Sequence, residues 1–138
     1  MAGLLARTEV EVDAPLDRVW AALTEPDQIQ QSMGATVETD WQPGSPITWT
    51  GEWEGKPFRD EGEVVEVLRN ERLVLRHRSG TAAEGSDSHT ITYLLTDHDG
   101  HTDVALTQDN NRTQDEADHS AKNWSMMLQG LKKSVESG

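Results

Sequence analysis

Hydrophobic residues near the C-terminus recur with the period of an α-helix. Steps of four and three residues separate the members of this stripe, Ala117, Ala121, Trp124, Leu128, Leu131 and Val135. That spacing places them on one side of a helix. Thr113-Gln114-Asp115-Glu116 matches the capping-box pattern, with Thr113 as the N-cap. We therefore predict a long amphipathic helix over residues 114–136 that packs its apolar stripe on a sheet.

Much of the remaining chain alternates hydrophobic and polar residues with the period of a β-strand. Thr8, Val10 and Val12 begin the pattern, and six further strands are predicted over residues 37–40, 47–53, 62–68, 73–78, 91–96 and 103–109. Asp99-Gly100 is typical of a two-residue hairpin turn. A β-bulge is expected within residues 64–67, because neither face of that segment is consistently apolar. The polar residues 79–88 predict a mobile loop.

Two short helices are predicted between the first two strands. Asp13 is the expected N-cap of the first, Pro15 suits its first turn, and its buried side comprises Leu16, Val19, Trp20 and Leu23. The second begins within residues 24–27 and turns Ile29 and Met33 inward. Strands grouped together, with helices set apart, indicate an α+β fold with an antiparallel sheet. We expect one domain over residues 1–138.

Composition narrows the classes of function. The 138 residues carry 25 acidic and 12 basic side chains, a formal net charge of −13, which disfavours nucleic acid and anionic membrane surfaces as partners. Cysteine is absent, so disulfides, thiolate metal sites and a cysteine nucleophile are excluded. We expect a cytoplasmic protein, because the N-terminus resembles no signal peptide. The acidic balance fits either adaptation to salt or an ordinary acidic protein.

The order of strand, two helices, six strands and long helix resembles the START-like (SRPBCC) superfamily. Within it, the chain resembles the homologues of the ATPase activator of the 90-kDa heat-shock protein. The likeness rests on VDAPLDRVWAALTEP at 12–26, GEVVEV at 62–67 with RLVL at 72–75, GHTDVAL at 100–106, and Asn123-Trp124 with Leu128 and Leu131. The resemblance implies a helix-grip fold, in which a curved antiparallel sheet wraps a long C-terminal helix around an apolar cavity.

Tryptophan is the most informative residue type for a binding site. Five tryptophans accompany one Phe and one Tyr. Trp49 and Trp53 share one strand face, and Trp124 lies on the helix stripe that covers it. Indole rings provide a large apolar area and one N–H donor, so these residues predict either the wall of an apolar cavity or a filled core. The residues expected to line a ligand cavity are Trp49, Trp53, His77, Tyr93, Gln108, Trp124 and Met127.

The histidines and carboxylates that could serve in catalysis or metal binding are interpreted mainly as structural or solvated groups. His77 follows Leu73 and Leu75 at period two, so it faces the space below the sheet, as a ligand contact or as a hydrogen-bonded core histidine. Residues 97–103 (DHDGHTD) look metal-like but lack the spacing of a calcium loop, and a hairpin tip is preferred. Asp60, Glu61 and Glu63 are interpreted as a solvated face. We therefore expect no metal site, no cofactor and no catalytic residues.

Three functions are compatible with these features. The leading hypothesis is a non-catalytic domain that binds a small apolar or aromatic molecule between the sheet and the C-terminal helix. Tyr93, His77 and Gln108 would orient a polar group of that ligand. The first alternative is a cyclase- or hydrolase-like enzyme with His77 as base, although no nucleophile or acidic partner is evident. The second is a chaperone-interacting protein, as the resemblance implies; the protein partner stays open.

Overall fold

The computed structural model describes residues 4–33, 35–53, 55–78, 89–111 and 113–137. The first strand, β1, runs over Leu4–Val12, and the helices α1 (Leu16–Thr24) and α2 (Pro26–Met33) follow it. The next six elements are strands, which are β2 (Ala35–Glu38), β3 (Pro46–Trp53), β4 (Lys56–Leu68), β5 (Arg72–Arg78), β6 (His89–His98) and β7 (His101–Asn111). The helix α3 (Gln114–Ser137) ends the fold. The predicted helix-grip order is confirmed.

All seven strands form one antiparallel sheet in the order β1-β7-β6-β5-β4-β3-β2. From β2 to β7 each strand pairs with its neighbour in sequence. β1 pairs with β7 and forms one edge of the sheet, and β2 forms the other. Successive side chains point to opposite faces, so one face of the sheet carries the buried aliphatic residues and the other faces solvent. The buried face and the helices together form a core that includes Val12, Val64, Leu73, Val104 and Leu106.

The predicted turn and bulge chemistry is observed. Asp99 and Gly100 both have positive φ, 55° and 90°, as a two-residue hairpin of the I′ type requires. The register of β4 against β5 shifts between Val64 and Glu66, which is the expected bulge. β4 starts at Lys56, six residues before the predicted strand, because it continues the hairpin with β3. The loop predicted at residues 79–88 lies outside the described residues.

The start of α1 differs from the prediction. The N-cap position is Pro15, and no side chain caps the helix. Asp13 instead donates its main-chain N–H to the Glu136 carboxylate at 2.8 Å and pairs its own carboxylate with His101 at 2.9 Å. The hydrogen bond from Lys132 to Glu136, followed by that from Asp13, lowers the pKa of Glu136. These contacts join the end of β1 to the last turns of α3.

The helix α3 carries the predicted stripe against the sheet. Thr113 caps it, accepting the Glu116 main-chain N–H at 3.0 Å. Ala117, Leu128, Leu131 and Val135 are buried, and Trp124 is partly buried against the core. α3 packs mainly on β1 and α2, with smaller contacts to β7 and α1. The Arg18 guanidinium donates to the Val135 carbonyl at 2.7 Å and thereby satisfies one of the last carbonyls of the helix.

Candidate functional site

A cavity of about 140 Å³ lies beneath the central strands. The sheet supplies Val37, Trp49, Asp60, Leu73, Leu75, His77, Ile91 and Tyr93 to its wall. Leu23 of α1, Ile29 of α2, Trp124 of α3 and Trp41 from the segment after β2 close the other side. The cavity is therefore bounded by all three helices, whereas the sequence predicted only the C-terminal one.

Three indole rings contribute to the wall. Trp49 comes from β3 and Trp124 from α3, and both are among the residues expected to line a ligand cavity, whereas Trp41 is not. Trp41 has a φ of 56°, in the left-handed region that few bulky residues adopt. Its main-chain N–H lies 3.4 Å from the Thr39 hydroxyl. This turn lets Trp41 contribute to the cavity wall from a segment where the hydrophobic period offers no signal.

A hydrogen-bonded Asp–His pair stands in this apolar wall. His77 Nε2 lies 3.0 Å from Asp60 Oδ2, and the two side chains are only 22% and 21% exposed. The Trp49 ring meets the imidazole edge-on, with 5.0 Å between ring centroids and 64° between planes. The interpretation of Asp60 as part of a solvated face is therefore wrong. His77 faces the cavity, as its spacing from Leu73 and Leu75 predicted.

The sheet register explains why Asp60 turns inward. Trp49 on β3 pairs directly with Asp60 on β4, and Gly62 on β4 pairs with His77 on β5. Directly paired residues in an antiparallel sheet share a face, so an inward Trp49 carries Asp60 inward with it. The short side chain of Asp60 then reaches the imidazole on the next strand.

Tyr93 is the other polar group of the wall. It is 5% exposed, and within the described part of the chain its hydroxyl has no hydrogen-bond partner. Burial raises the pKa of the Tyr93 phenol, because the anion would lose its hydration. The hydroxyl therefore stays protonated at neutral pH and can both donate and accept a hydrogen bond.

The remaining predicted site residues lie elsewhere. Gln108 is buried and accepts the indole N–H of Trp124, so it contacts the wall from behind and is not itself in it. Met127 packs partly buried against the core, outside the cavity lining. Trp53 ends β3, and its side chain lies outside the described residues. With one imidazole and one carboxylate, the cavity wall offers too few ligands for a closed structural zinc site.

A curved antiparallel sheet against a long C-terminal helix, with two short helices after the first strand, defines the START-like helix-grip class. Residues 13–136 match the family described as Activator of Hsp90 ATPase homolog 1-like protein. The chain belongs to this family. None of the helices described here is long and apolar enough to span a bilayer.

Solved structures show the same architecture. A Cytophaga hutchinsonii protein solved in solution is 39% identical, with a TM-score of 0.84, over 99% of this chain and 97% of that one. The Aha1 dimer from Colwellia psychrerythraea is 21% identical, with a TM-score of 0.77, over 96% of each chain. CalU16 from Micromonospora echinospora is 18% identical, with a TM-score of 0.73, over 98% and 86%. The search among curated proteins found no match.

Proposed function

We propose that this domain binds a small molecule with one aromatic ring in the cavity beneath the sheet. The observation that carries the proposal is a cavity whose lining is apolar or aromatic except for the hydrogen-bonded Asp60–His77 pair. Ligand sites typically combine such a lining with a few placed polar groups. In this arrangement the aromatic walls supply contact area and the polar groups set orientation.

The volume suits a ligand about the size of a single ring. A protein cavity of about 150 Å³ with aliphatic and aromatic walls accommodates benzene, and the cavity here measures about 140 Å³. The Asp60 carboxylate favours a ligand that donates a hydrogen bond and disfavours an anion. Tyr93 can serve as donor or acceptor for the same substituent. Phenol is therefore preferred over benzoate, and toluene lacks the polar contact.

Titration with phenol, toluene and benzoate tests the proposal. The two indole rings of Trp49 and Trp124 flank the cavity, so phenol should change the tryptophan fluorescence saturably and raise the melting temperature by mass action. Benzoate should bind at least tenfold more weakly. His77→Ala should weaken the binding of phenol more than the binding of toluene. If neither phenol nor toluene produces a saturable response, the proposal is wrong.

Two substitutions on the same strand provide a matched pair. Ile91 lines the cavity at 2% exposure, whereas Leu94 on the same strand is 43% exposed on the outer face. Ile91→Phe should fill the cavity and abolish phenol binding while the protein remains folded. Leu94→Phe should leave binding unchanged. Equal effects of the two substitutions would locate binding outside the cavity.

The Asp60–His77 pair favours a second candidate, an enzyme that uses His77 as general base. A carboxylate that accepts a ring N–H holds the imidazole in one tautomer and stabilises the protonated ring. Nε2 faces Asp60, so Nδ1 is the nitrogen that would take a proton. An isoxazole with hydrogen at C3 tests this hypothesis with a single ring: when a base removes the C3–H proton, the N–O bond breaks and the ring opens to a cyano-substituted enolate. His77→Ala should abolish ring opening and keep ligand binding; equal rates for both proteins would exclude the enzyme.

A further inference from the structure

Three metal-ligating side chains converge on the outer face of the sheet, opposite the cavity. Glu11 lies on β1, His98 on β6 and Asp103 on β7. His98 Nδ1 lies 3.9 Å from Glu11 Oε2 and 3.8 Å from Asp103 Oδ2. One ligand atom from each residue lies within 4.8 Å of the other two. The neighbouring residues Val10, Val12 and Val104 are buried on the inner face, so alternation places this group on the outer one.

The strand register holds the two carboxylates together. Glu11 pairs directly with Asp103 across β1 and β7. Like charges directly opposite each other on adjacent strands destabilise the pair, and the net charge of −13 adds to the negative potential. His98, on β6, places its Nδ1 nitrogen within 4 Å of both carboxylates. A cation shared by the three groups would convert this repulsion into attraction.

The distances fit a divalent ion with small adjustments. With metal–ligand bonds of about 2.1 Å, tetrahedral ligand atoms lie about 3.4 Å apart. The two His98–carboxylate separations exceed that by a few tenths of an ångström, a shift that exposed side chains accommodate by small rotations. One imidazole and two carboxylates favour borderline transition ions, because Mg²⁺ and Ca²⁺ prefer oxygen ligands alone. Water would occupy the remaining positions.

We propose that Glu11, His98 and Asp103 form a surface site for a divalent transition metal such as Zn²⁺ or Co²⁺. The contiguous motif at residues 97–103 is indeed a hairpin, with Asp99 and Gly100 forming its turn. The ligand set takes only His98 and Asp103 from that motif and adds Glu11 from a distant strand, so no local spacing could indicate it. The adjacent His101 is engaged with Asp13 at 2.9 Å and lies outside the set.

Calorimetric titration of the chelator-treated, untagged full chain with ZnCl₂ tests the site. One saturating equivalent is expected, and MgCl₂ should give no comparable heat. His98→Ala should weaken Zn²⁺ binding at least tenfold, and Glu11→Gln and Asp103→Asn should each weaken it. The side chains of His98 and Glu11 are 65% and 59% exposed, so these variants should fold. Co²⁺ provides a second readout, since a four-coordinate Co²⁺ ion absorbs visible light more strongly than the free aqua ion, and His98→Ala should remove that added absorbance.

His119→Ala is the matched control, because His119 is an exposed histidine on α3, away from the hairpin. It should bind Zn²⁺ like the wild type. The proposal fails if His119→Ala and His98→Ala weaken binding equally, or if the wild type takes up several equivalents without a break. Either result would mean diffuse adsorption to the acidic surface.

Discussion

The indole N–H of Trp124 on α3 donates a hydrogen bond to the side-chain carbonyl of Gln108 on β7. Gln108 is only 9% exposed, so this bond is partly shielded from solvent, and it joins the long helix to the sheet. It also fixes the orientation of the indole face that lines the cavity. The Trp124 N–H is consequently occupied by the protein and is not available to a ligand.

Removing either partner should destabilise the fold by a measurable amount. Gln108→Leu leaves the indole donor without its acceptor, and such a loss costs about 1–3 kcal/mol. Trp124→Phe removes the donor and part of the ring. Chemical denaturation of both single variants and the double variant should give a coupling energy of about 1 kcal/mol. Strict additivity of the two effects would contradict an energetically important bond.

Gly62 on β4 occupies a position where no side chain fits. A Cβ atom there would lie 1.9 Å from the Arg76 main-chain oxygen and 3.2 Å from Cζ3 of Trp49. Gly62→Ala should therefore displace β5 or the Trp49 ring, with a loss of about 1–3 kcal/mol as for other overpacked sites. Glu61→Ala, at the exposed neighbouring position, should change stability little. A melting temperature of Gly62→Ala equal to that of Glu61→Ala would contradict the close approach.

Most of the fold follows from period and turn chemistry. The six-residue stripe of α3 and the hairpin at Asp99-Gly100 are local signals, and both predictions are confirmed. The start of α1 was predicted wrongly, because Asp13 is drawn into contacts with Glu136 and His101 that are distant in sequence. Tertiary contacts of this kind compete with a capping preference of about 1 kcal/mol.

The candidate site could be predicted only in part. His77 was placed on the inner face by its alternation with Leu73 and Leu75, a local signal. The inward orientation of Asp60 was not predicted, because it depends on which residue of β3 lies opposite Asp60. The direct pair of Trp53 with Lys56 sets that register and aligns Trp49 with Asp60. The predicted turn covered residues 54–57 and left the register undefined, so one polar partner of the site was missed.

Salt should stabilise this domain. At a net charge of −13, repulsion among exposed carboxylates acts against the compact state. The Debye length, the distance over which charges interact, falls from about 10 Å at 0.1 M to about 3 Å at 1 M salt, so added salt weakens this repulsion. The exposed Arg72–Glu66 and Arg76–Glu63 ion pairs are weakened too, but this costs little stability, because such pairs contribute about 0–1 kcal/mol. The melting temperature should rise in NaCl and KCl alike. A rise in only one salt would indicate specific ion binding, and a fall in both would contradict net repulsion.

Tyr93 is the only tyrosine of the chain, so tyrosinate absorbance reports this residue alone. Burial raises its pKa above the ordinary value of 10.0. A raised folded-state pKa means that the unfolded chain loses the phenolic proton first, so the stability due to Tyr93 is complete below pH 10 and declines as the pH rises further. In the native protein the Tyr93 phenol should ionise only as the protein unfolds at alkaline pH. In urea-unfolded protein it should ionise near pH 10. Tyr93→Phe should flatten this part of the stability profile. A native titration near 10 would place the hydroxyl in water and remove it from the cavity wall.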